Sequence, residues 1–230
     1  MIEPISLRPV AILRTPFGEK FGVPRQSGLI PEAEGRVEFS AEFSAPDFVR
    51  GIKAFSHLWL VTGFHQNPPW TGSSTVRPPR LGGNERVGVF ASRAPNRPNG
   101  LGLSLVRLLA VEAGALRVAG IDAVDGTPVY DIKPYLPWCE ALPQATADWA
   151  PGTPFVRDER AVTIPPKVVD LLDEATLALL RQMLRLDLQP AYQHDPGRTY
   201  GMALAGWNIE WRPEAGNTVL VLDATRLTKP

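Results

Sequence analysis

Residues Arg77 to Ser104, RPPRLGGNERVGVFASRAPNRPNGLGLS, concentrate the groups able to bind an anion. Arg77, Arg80, Arg86, Arg93, Arg97 and, just beyond, Arg107 stand against a single acid, Glu85. The whole chain balances 24 basic against 24 acidic residues, so the remainder leans acidic. Arginine set among glycine, proline and asparagine is loop chemistry, and the guanidinium offers a planar fork to phosphate or carboxylate. A plain surface with Arg-rich turns is the competing reading, although ordinary surfaces mix both signs and use lysine freely.

Within this stretch, LGGN (Leu81 to Asn84) presents backbone N–H groups that an anion can approach closely, or simply a tight turn. It lacks the Lys and Ser/Thr of a Walker loop and the GxGxxG spacing of a dinucleotide fingerprint. SRAPNRPNGLGLS (Ser92 to Ser104) is more specific: two arginines four apart, stiffened by proline, lead into an apolar strand. Its asparagines offer both donor and acceptor to a base edge, or cap turns in a rigid connection. GIDAVDGTPVYDIKPYLP (Gly120 to Pro137) holds Asp122, Asp125 and Asp131 in a proline-framed setting. These carboxylates suit pairing with the Arg loop, binding of a cationic cofactor or orienting of an amine; an Asp125-Gly126 turn with ordinary surface charge explains them equally well on composition. His57 and His65 lie at the two ends of an apolar run, separated by about 26 Å of strand, so they cannot share a metal. His57 reads as structural, and His65 ends the strand beside Gln66, where a site can open. No Ser–His–Asp or Cys–His arrangement is present, and no metal site is expected.

Short strands must carry these loops. Ile5 to Arg14, Gly35 to Ser40, Leu58 to His65, Val87 to Ala91, Leu103 to Val111, Ala115 to Ile121 and Thr127 to Ile132 read as strands, with a hairpin at Glu112-Ala113-Gly114. Ser44 to Lys53 reads as one helical passage, capped by Ser44, with Pro46 in its first turn and Phe48, Val49 and Ile52 on one face. No strand–helix–strand alternation appears, so the expected fold is mainly β, an antiparallel barrel or sandwich. The Pro- and Ala-rich stretch Leu142 to Pro154 suggests a boundary between domains at 1–145 and 155–230. Beyond it, Val168 to Leu186 shows helical spacing with Asp173 capping the second of two helices. Tyr200 to Arg212 and Thr218 to Asp223 read as strands joined at Glu214 to Asn217, which completes a small C-terminal α+β unit.

Composition narrows the class further. The 24 prolines and 20 glycines suit turn-linked strands, and 44% hydrophobic residues supply a core. The single Cys139 excludes an internal disulfide and a cysteine-based zinc cluster. No apolar run approaches the roughly 20 residues of a membrane span, and MIEPISLRPV has no signal pattern, so a cytoplasmic protein without membrane contact is expected.

Four segments carry a resemblance. PRQSG (Pro24 to Gly28), FSHLWLVTGFH (Phe55 to His65), the Arg77 to Ser104 stretch and DGTPVYDIKPYLP (Asp125 to Pro137) resemble the signature segments of the TsaA-like family, with its TrmO-type tRNA methyltransferases. DPGRTY (Asp195 to Tyr200) extends the likeness into the C-terminal part. The resemblance implies an antiparallel β-barrel that binds S-adenosyl-L-methionine, unlike the Rossmann-type fold of most methyltransferases, together with a homodimer and a small C-terminal domain. It implies N6-methylation of N6-threonylcarbamoyladenosine in tRNA, next to the anticodon. Carried over motif by motif, the cofactor contacts fall on Gln26, Ser27, Gly28, His65, Gln66, Arg93, Leu103 and the run Asp122, Ala123, Val124, Asp125. Ser27 stands where proline is common, and Gly100 replaces a second proline.

The acceptor nitrogen is a poor nucleophile, because the carbamoyl group withdraws its lone pair; some group must take its proton or steady the developing charge. Asp131, Lys133 and Tyr135 of DIKPY are the expected catalytic residues, by analogy with the D-x-P-Y stretches of unrelated adenine-N6 methyltransferases. Arg77, Arg80, Arg86 and Arg97 are expected to meet tRNA phosphates, since a local patch suffices on a neutral chain. Trp207 or Tyr200 either stacks on an anticodon-loop base or fills a small core. The rival readings are a non-catalytic tRNA- or nucleotide-binding module and a phosphate-directed hydrolase; the second lacks any nucleophile or metal cluster in the sequence.

Overall fold

A computed structural model describes residues 3–78, 85–147, 149–150, 160–186, 188 and 197–228. The chain forms two compact units. One runs to Thr15 and then takes Gln26–Gly72 and Pro95–Ala141; the other takes Pro16–Arg25, Ser73–Ala94 and the chain from Leu142 onward.

The strands of the first part of the chain are β1 (Ala11–Arg14), β2 (Glu34–Phe39), β3 (His57–Gly63), β4 (Thr75–Val76), β5 (Val87–Gly88), β6 (Leu101–Glu112), β7 (Ala115–Ala119) and β8 (Thr127–Pro134). Six of them close a barrel in the order β1-β2-β7-β6-β3-β8, every neighbouring pair antiparallel. Closure gives every one of these strands a neighbour on both sides, with no whole edge strand to aggregate. Alternation places Leu13, Val37, Leu58, Leu60, Val106, Leu116, Val118 and Val129 inside, all at 0% exposure. Each such aliphatic side chain contributes about 1.5–3 kcal/mol when fully buried.

Antiparallel order brings the ends Arg14, Glu34, Gly63, Leu101, Ala119 and Thr127 to one mouth of the barrel. At that mouth β7 no longer pairs with β6, because its register stops at Arg107. The vacated ladder position is taken by a loop: the Leu105 N–H donates to Ser27 Oγ at 3.1 Å.

In the other unit, β4 and β5 form a short antiparallel pair. The chain there continues through β9 (Ala161–Thr163), α2 (Pro166–Val169), α3 (Glu174–Arg185), β10 (Tyr200–Leu204), β11 (Trp207–Glu214) and β12 (Thr218–Arg226); α1 (Pro137–Glu140) belongs to the barrel unit. The sheet order is β10-β11-β12-β9, with β9 parallel to β12. Helix α3 buries Leu179, Leu180, Met183 and Leu184, and Asp173 caps it by accepting the Thr176 N–H at 2.7 Å. That bond holds the Asp173 carboxyl below its ordinary range.

The mainly β, antiparallel-barrel expectation holds, with local corrections. Only Ala11–Arg14 of the Ile5 to Arg14 segment is strand. Only Val87–Gly88 of Val87 to Ala91 is strand; Val89–Ala91 closes into a 3-10 turn. Ser44 to Lys53 is no single helix: separate 3-10 turns at Pro46–Val49 and Ile52–Ala54 flank Gly51, whose φ of 84° breaks the helical path. Ser44 Oγ bonds back to the Ala41 carbonyl instead of capping, and Phe48 is 62% exposed. The stretch Tyr200 to Arg212 is two strands joined at Ala205-Gly206, with φ of 50° and 79°. Both turn residues have positive φ, as a type I′ hairpin requires, and alanine in that first position hides the turn from sequence rules. Strand β9 is also an element the apolar pattern does not reveal.

Candidate functional site

The loops at the barrel mouth are tied to one another by short hydrogen bonds. The Gly28 N–H donates to the Gly120 carbonyl at 2.9 Å, and Gly28 reaches the left-handed φ of 78° that this approach needs. Ser27, as above, clasps β6 at Leu105. Ser104 Oγ donates to Asp122 Oδ1 at 2.5 Å. Thr127 Oγ1 donates to the Val124 carbonyl at 2.7 Å. Beyond the end of β3, His65 Nε2 lies 3.9 Å from where a Cβ on Gly126 would stand. Gln26, Ser27, Gly28, His65, Gln66 and the run Asp122, Ala123, Val124, Asp125 are therefore brought to one mouth, although the sequence scatters them over about a hundred positions.

One of these residues has a defined structural duty. Asp125 Oδ1 accepts the Thr15 N–H at 3.0 Å, and its Oδ2 lies 3.7 Å from Arg14, so this carboxylate pins the end of β1. Gly28, by contrast, is exposed, and a Cβ there would meet nothing within 4 Å among the described residues. Backbone without a side chain, with room above it, is what a ligand that must come close requires.

The outer wall beside this mouth has a regular layout. Registers across β6, β3 and β8 align Leu103, Val61 and Asp131 in one row and Leu105, Trp59 and Lys133 in the next. Arg107 and His57 start a third row, where the Tyr135 N–H donates to the His57 carbonyl at 3.0 Å. Strands lie about 4.8 Å apart, so Leu103 and Asp131 flank Val61 across about 10 Å. Directly paired residues share a face, so Asp131, Lys133 and Leu103 (48% exposed) stand on the same outer surface. Lys133 Nζ is 2.9 Å from Asp131 Oδ2, while Asp131 Oδ1 accepts the Ile132 N–H at 2.9 Å. The Tyr135 ring sits edge-on to both Trp59 (6.1 Å) and His57 (6.4 Å), and Trp59 Nε1 donates to Glu140 Oε1 at 2.9 Å. Asp131 is thus nearest the mouth, and Lys133 on β8 and Tyr135 just past its end follow at increasing distance.

The wall on the β1–β2 side is chemically different. Arg14, Arg36, Glu38 and Glu112 form an ion-paired strip with contacts of 2.8–3.1 Å. The Arg14 guanidinium, then Arg36, holds the Glu38 carboxyl below its usual range. Exposed pairs of this kind contribute little stability, and they make that wall largely charged around half-buried Ile12.

Of the arginines, Arg97 lies in the barrel unit, half-buried, its carbonyl accepting the Gly100 N–H at 3.1 Å in the turn that launches β6. Arg77, Arg86 and Arg93 lie exposed in the other unit, where Arg86 donates to Thr75 Oγ1 at 3.0 Å. The Arg93 loop is braced by Ser92 Oγ, which donates to the Val89 carbonyl and accepts the Ala94 N–H. Arg80, LGGN and His194 lie outside the described residues, as do Asp195 and Pro196 of the DPGRTY stretch. Tyr200 is core, 7% exposed and stacked on Trp211 at 4.9 Å; Trp207 is half-buried under Arg226. Among the described residues no cluster of three or more His, Cys, Asp or Glu is placed to hold a metal, and no helix is long and apolar enough to cross a membrane.

Sequence reasoning overlooked Ser104. Its signal was present: a lone polar residue on the inward face of β6, where its neighbours on that face are apolar.

Comparison with known proteins fits this architecture. Residues 12–141 match the family model described as the tRNA-methyltransferase O N-terminal domain, and residues 162–226 match that of the TrmO C-terminal domain. The chain is 43% identical over 228 residues to a tRNA (adenine(37)-N6)-methyltransferase of Escherichia coli, covering 93% of this chain and 96% of that protein. It is 41% identical to a putative S-adenosylmethionine-dependent methyltransferase, RcsF, of Pseudomonas aeruginosa, covering 95% and 96%. The crystal structure of TrmO from Pseudomonas aeruginosa superposes with a TM-score of 0.79 at 34% identity, over 97% of this chain and 99% of that one. With both domain models matched in order and the identity sustained end to end, the chain belongs to the TrmO family.

Proposed function

We propose that this chain is an S-adenosyl-L-methionine-dependent tRNA methyltransferase that methylates N6 of N6-threonylcarbamoyladenosine beside the anticodon. The observation that carries the reading is the convergence of three separate segments, 26–28, 65–66 and 122–125, on one barrel mouth around an open backbone at Gly28. The donor set suits the ligand. Amides at Gln26 and Gln66 match a purine edge, the Asp122 carboxylate matches an ammonium or ribose hydroxyl, and Leu103 gives an apolar contact. The Arg93 guanidinium is a planar fork of the kind that suits a carboxylate such as the ligand's. When bound, S-adenosyl-L-methionine supplies an electrophilic methyl group on a sulfonium.

The chain's own residues then have two tasks. The mouth fixes the donor, since methyl transfer depends chiefly on in-line placement. On the outer wall, Asp131 Oδ2 accepts the N6 proton, while the Lys133 ammonium beside it steadies charge on the carbamoyl oxygen. Tyr135 lines the far side of this acceptor surface. Arg77, Arg80, Arg86 and Arg97 engage phosphates of the tRNA, in the cytoplasm. Exposed Leu103, with half-buried Val61 beside it and half-buried Trp59 in the next row, gives this wall apolar surface that a homodimer would cover.

The test incubates purified protein with methyl-labelled S-adenosyl-L-methionine and tRNA carrying or lacking the threonylcarbamoyl group. Label is expected in the modified nucleoside only. Binding of tRNA without any transfer would favour the alternative, a non-catalytic binding module.

A further inference from the structure

The inside of the barrel is apolar except at one end. Among its described residues the buried polar side chains are Thr62, Ser104 and Thr127, at 3%, 5% and 5% exposure. All three belong to the strand ends β3, β6 and β8 that meet at the mouth. A hydroxyl buried in an apolar core gains little net stability even when hydrogen-bonded, and an aliphatic residue there is commonly as good or better. Stability is thus a weak reason for hydroxyls here, and their partners suggest another. Ser104 Oγ reaches up to Asp122 Oδ1 at 2.5 Å, and Thr127 Oγ1 reaches the Val124 carbonyl at 2.7 Å. Both hydroxyls support the same short strip, 122–125, from beneath. Ser104 itself faces Leu60 across the ladder, so its rotamer is confined by packing.

We infer that Ser104 is a positioning residue: its buried hydroxyl fixes the Asp122 carboxylate in the orientation that receives the cationic or hydroxyl groups of the methyl donor. Thr127 fixes the backbone of the same strip. This inference rests on the functional reading above and adds to it a residue that touches neither donor nor acceptor.

The experiment measures S-adenosyl-L-methionine affinity by titration calorimetry on the full chain, with thermal unfolding recorded in the absence of ligand. Ser104→Ala is expected to weaken binding about tenfold, the loss typical of one hydrogen bond to a charged group. Its unfolding temperature should stay within about 2 °C of the parent, because water can replace the hydroxyl at partly exposed Asp122. Ser104→Thr keeps the hydroxyl and should recover affinity to within about threefold. In a double-mutant cycle, Ser104→Ala should add nothing to Asp122→Ala, since the serine acts only through that carboxylate. Unchanged affinity in Ser104→Ala, or losses that multiply in the double variant, would overturn the inference while leaving the site intact. If Asp122→Ala itself binds normally, the reading of the mouth as the donor site fails, and the role of Ser104 fails with it.

Discussion

Replacing Gly28 with alanine separates the proposed ligand site from the fold more cleanly than removing any side chain. Gly28 has φ of 78°, and an added Cβ would meet nothing within 4 Å among the described residues. The substitution therefore carries no steric clash with the described residues, only the cost of holding an L-residue in the left-handed region, about 1–2 kcal/mol. For a chain of this length that lowers the unfolding temperature by about 2–8 °C. Gly51 is a matched control: its φ is 84°, a Cβ there also meets nothing within 4 Å among the described residues, and it lies between two 3-10 turns ahead of β3, away from the mouth. Both variants should lose similar stability. Only Gly28→Ala places a methyl group over the backbone that the donor would approach, so it should bind S-adenosyl-L-methionine at least about tenfold more weakly, a displacement worth about 1.4 kcal/mol. Gly51→Ala should bind within about twofold of the parent. Calorimetric titration of the three proteins decides the matter. Equal affinities for Gly28→Ala and the parent, at equal folded fraction, would remove Gly28 from the ligand site.

Other expectations follow from the same geometry. Asp131→Ala should lower the single-turnover rate at least about a hundredfold, the lower range of acid–base contributions, with donor affinity changed less than about threefold; equal losses in both would move Asp131 into the donor pocket. Binding of tRNA should weaken steeply between low and moderate salt. Arg77→Ala and Arg86→Ala should each flatten the logarithmic salt slope by about 0.7–0.9 for every phosphate that the arginine neutralises in the parent; parent-like slopes would exclude those two arginines. Asp173→Ala should destabilise the C-terminal unit by about 1 kcal/mol, the usual worth of an N-cap. Because the Thr176 N–H lowers the folded carboxyl's pKa below 3.8, the cap is fully present above that value. Its contribution fades as pH falls through the lowered folded value. The destabilisation in Asp173→Ala should therefore shrink in acid denaturation profiles, and a pH-independent difference would show that the cap is not the cause.

The sequence by itself determined the class of fold and most of its strands, because a half-buried strand writes its two faces into alternate residues and a hairpin writes its turn into glycine. It determined the cap at Asp173 for the same reason: the N-cap and the helix it serves are adjacent in the chain. The motifs around Gln26, His65, Leu103 and Asp122 were likewise readable, but only as separate segments. Tertiary structure alone decided how they combine. The register of β6, β3 and β8 aligns Leu103 with Asp131 through Val61, and this depends on a bulge between Val61 and Thr62 that no local pattern specifies. Closure of the barrel turns Ser104 from one letter in an apolar run into the support of Asp122, and commits Asp125 to β1. Tyr200 becomes core because Trp211 stacks on it from a strand beyond an unsignalled Ala-Gly turn. Local elements are set by forces between near neighbours, which a linear text records. Partnerships across strands are set by closure and register, which arise only when all the strands are present together.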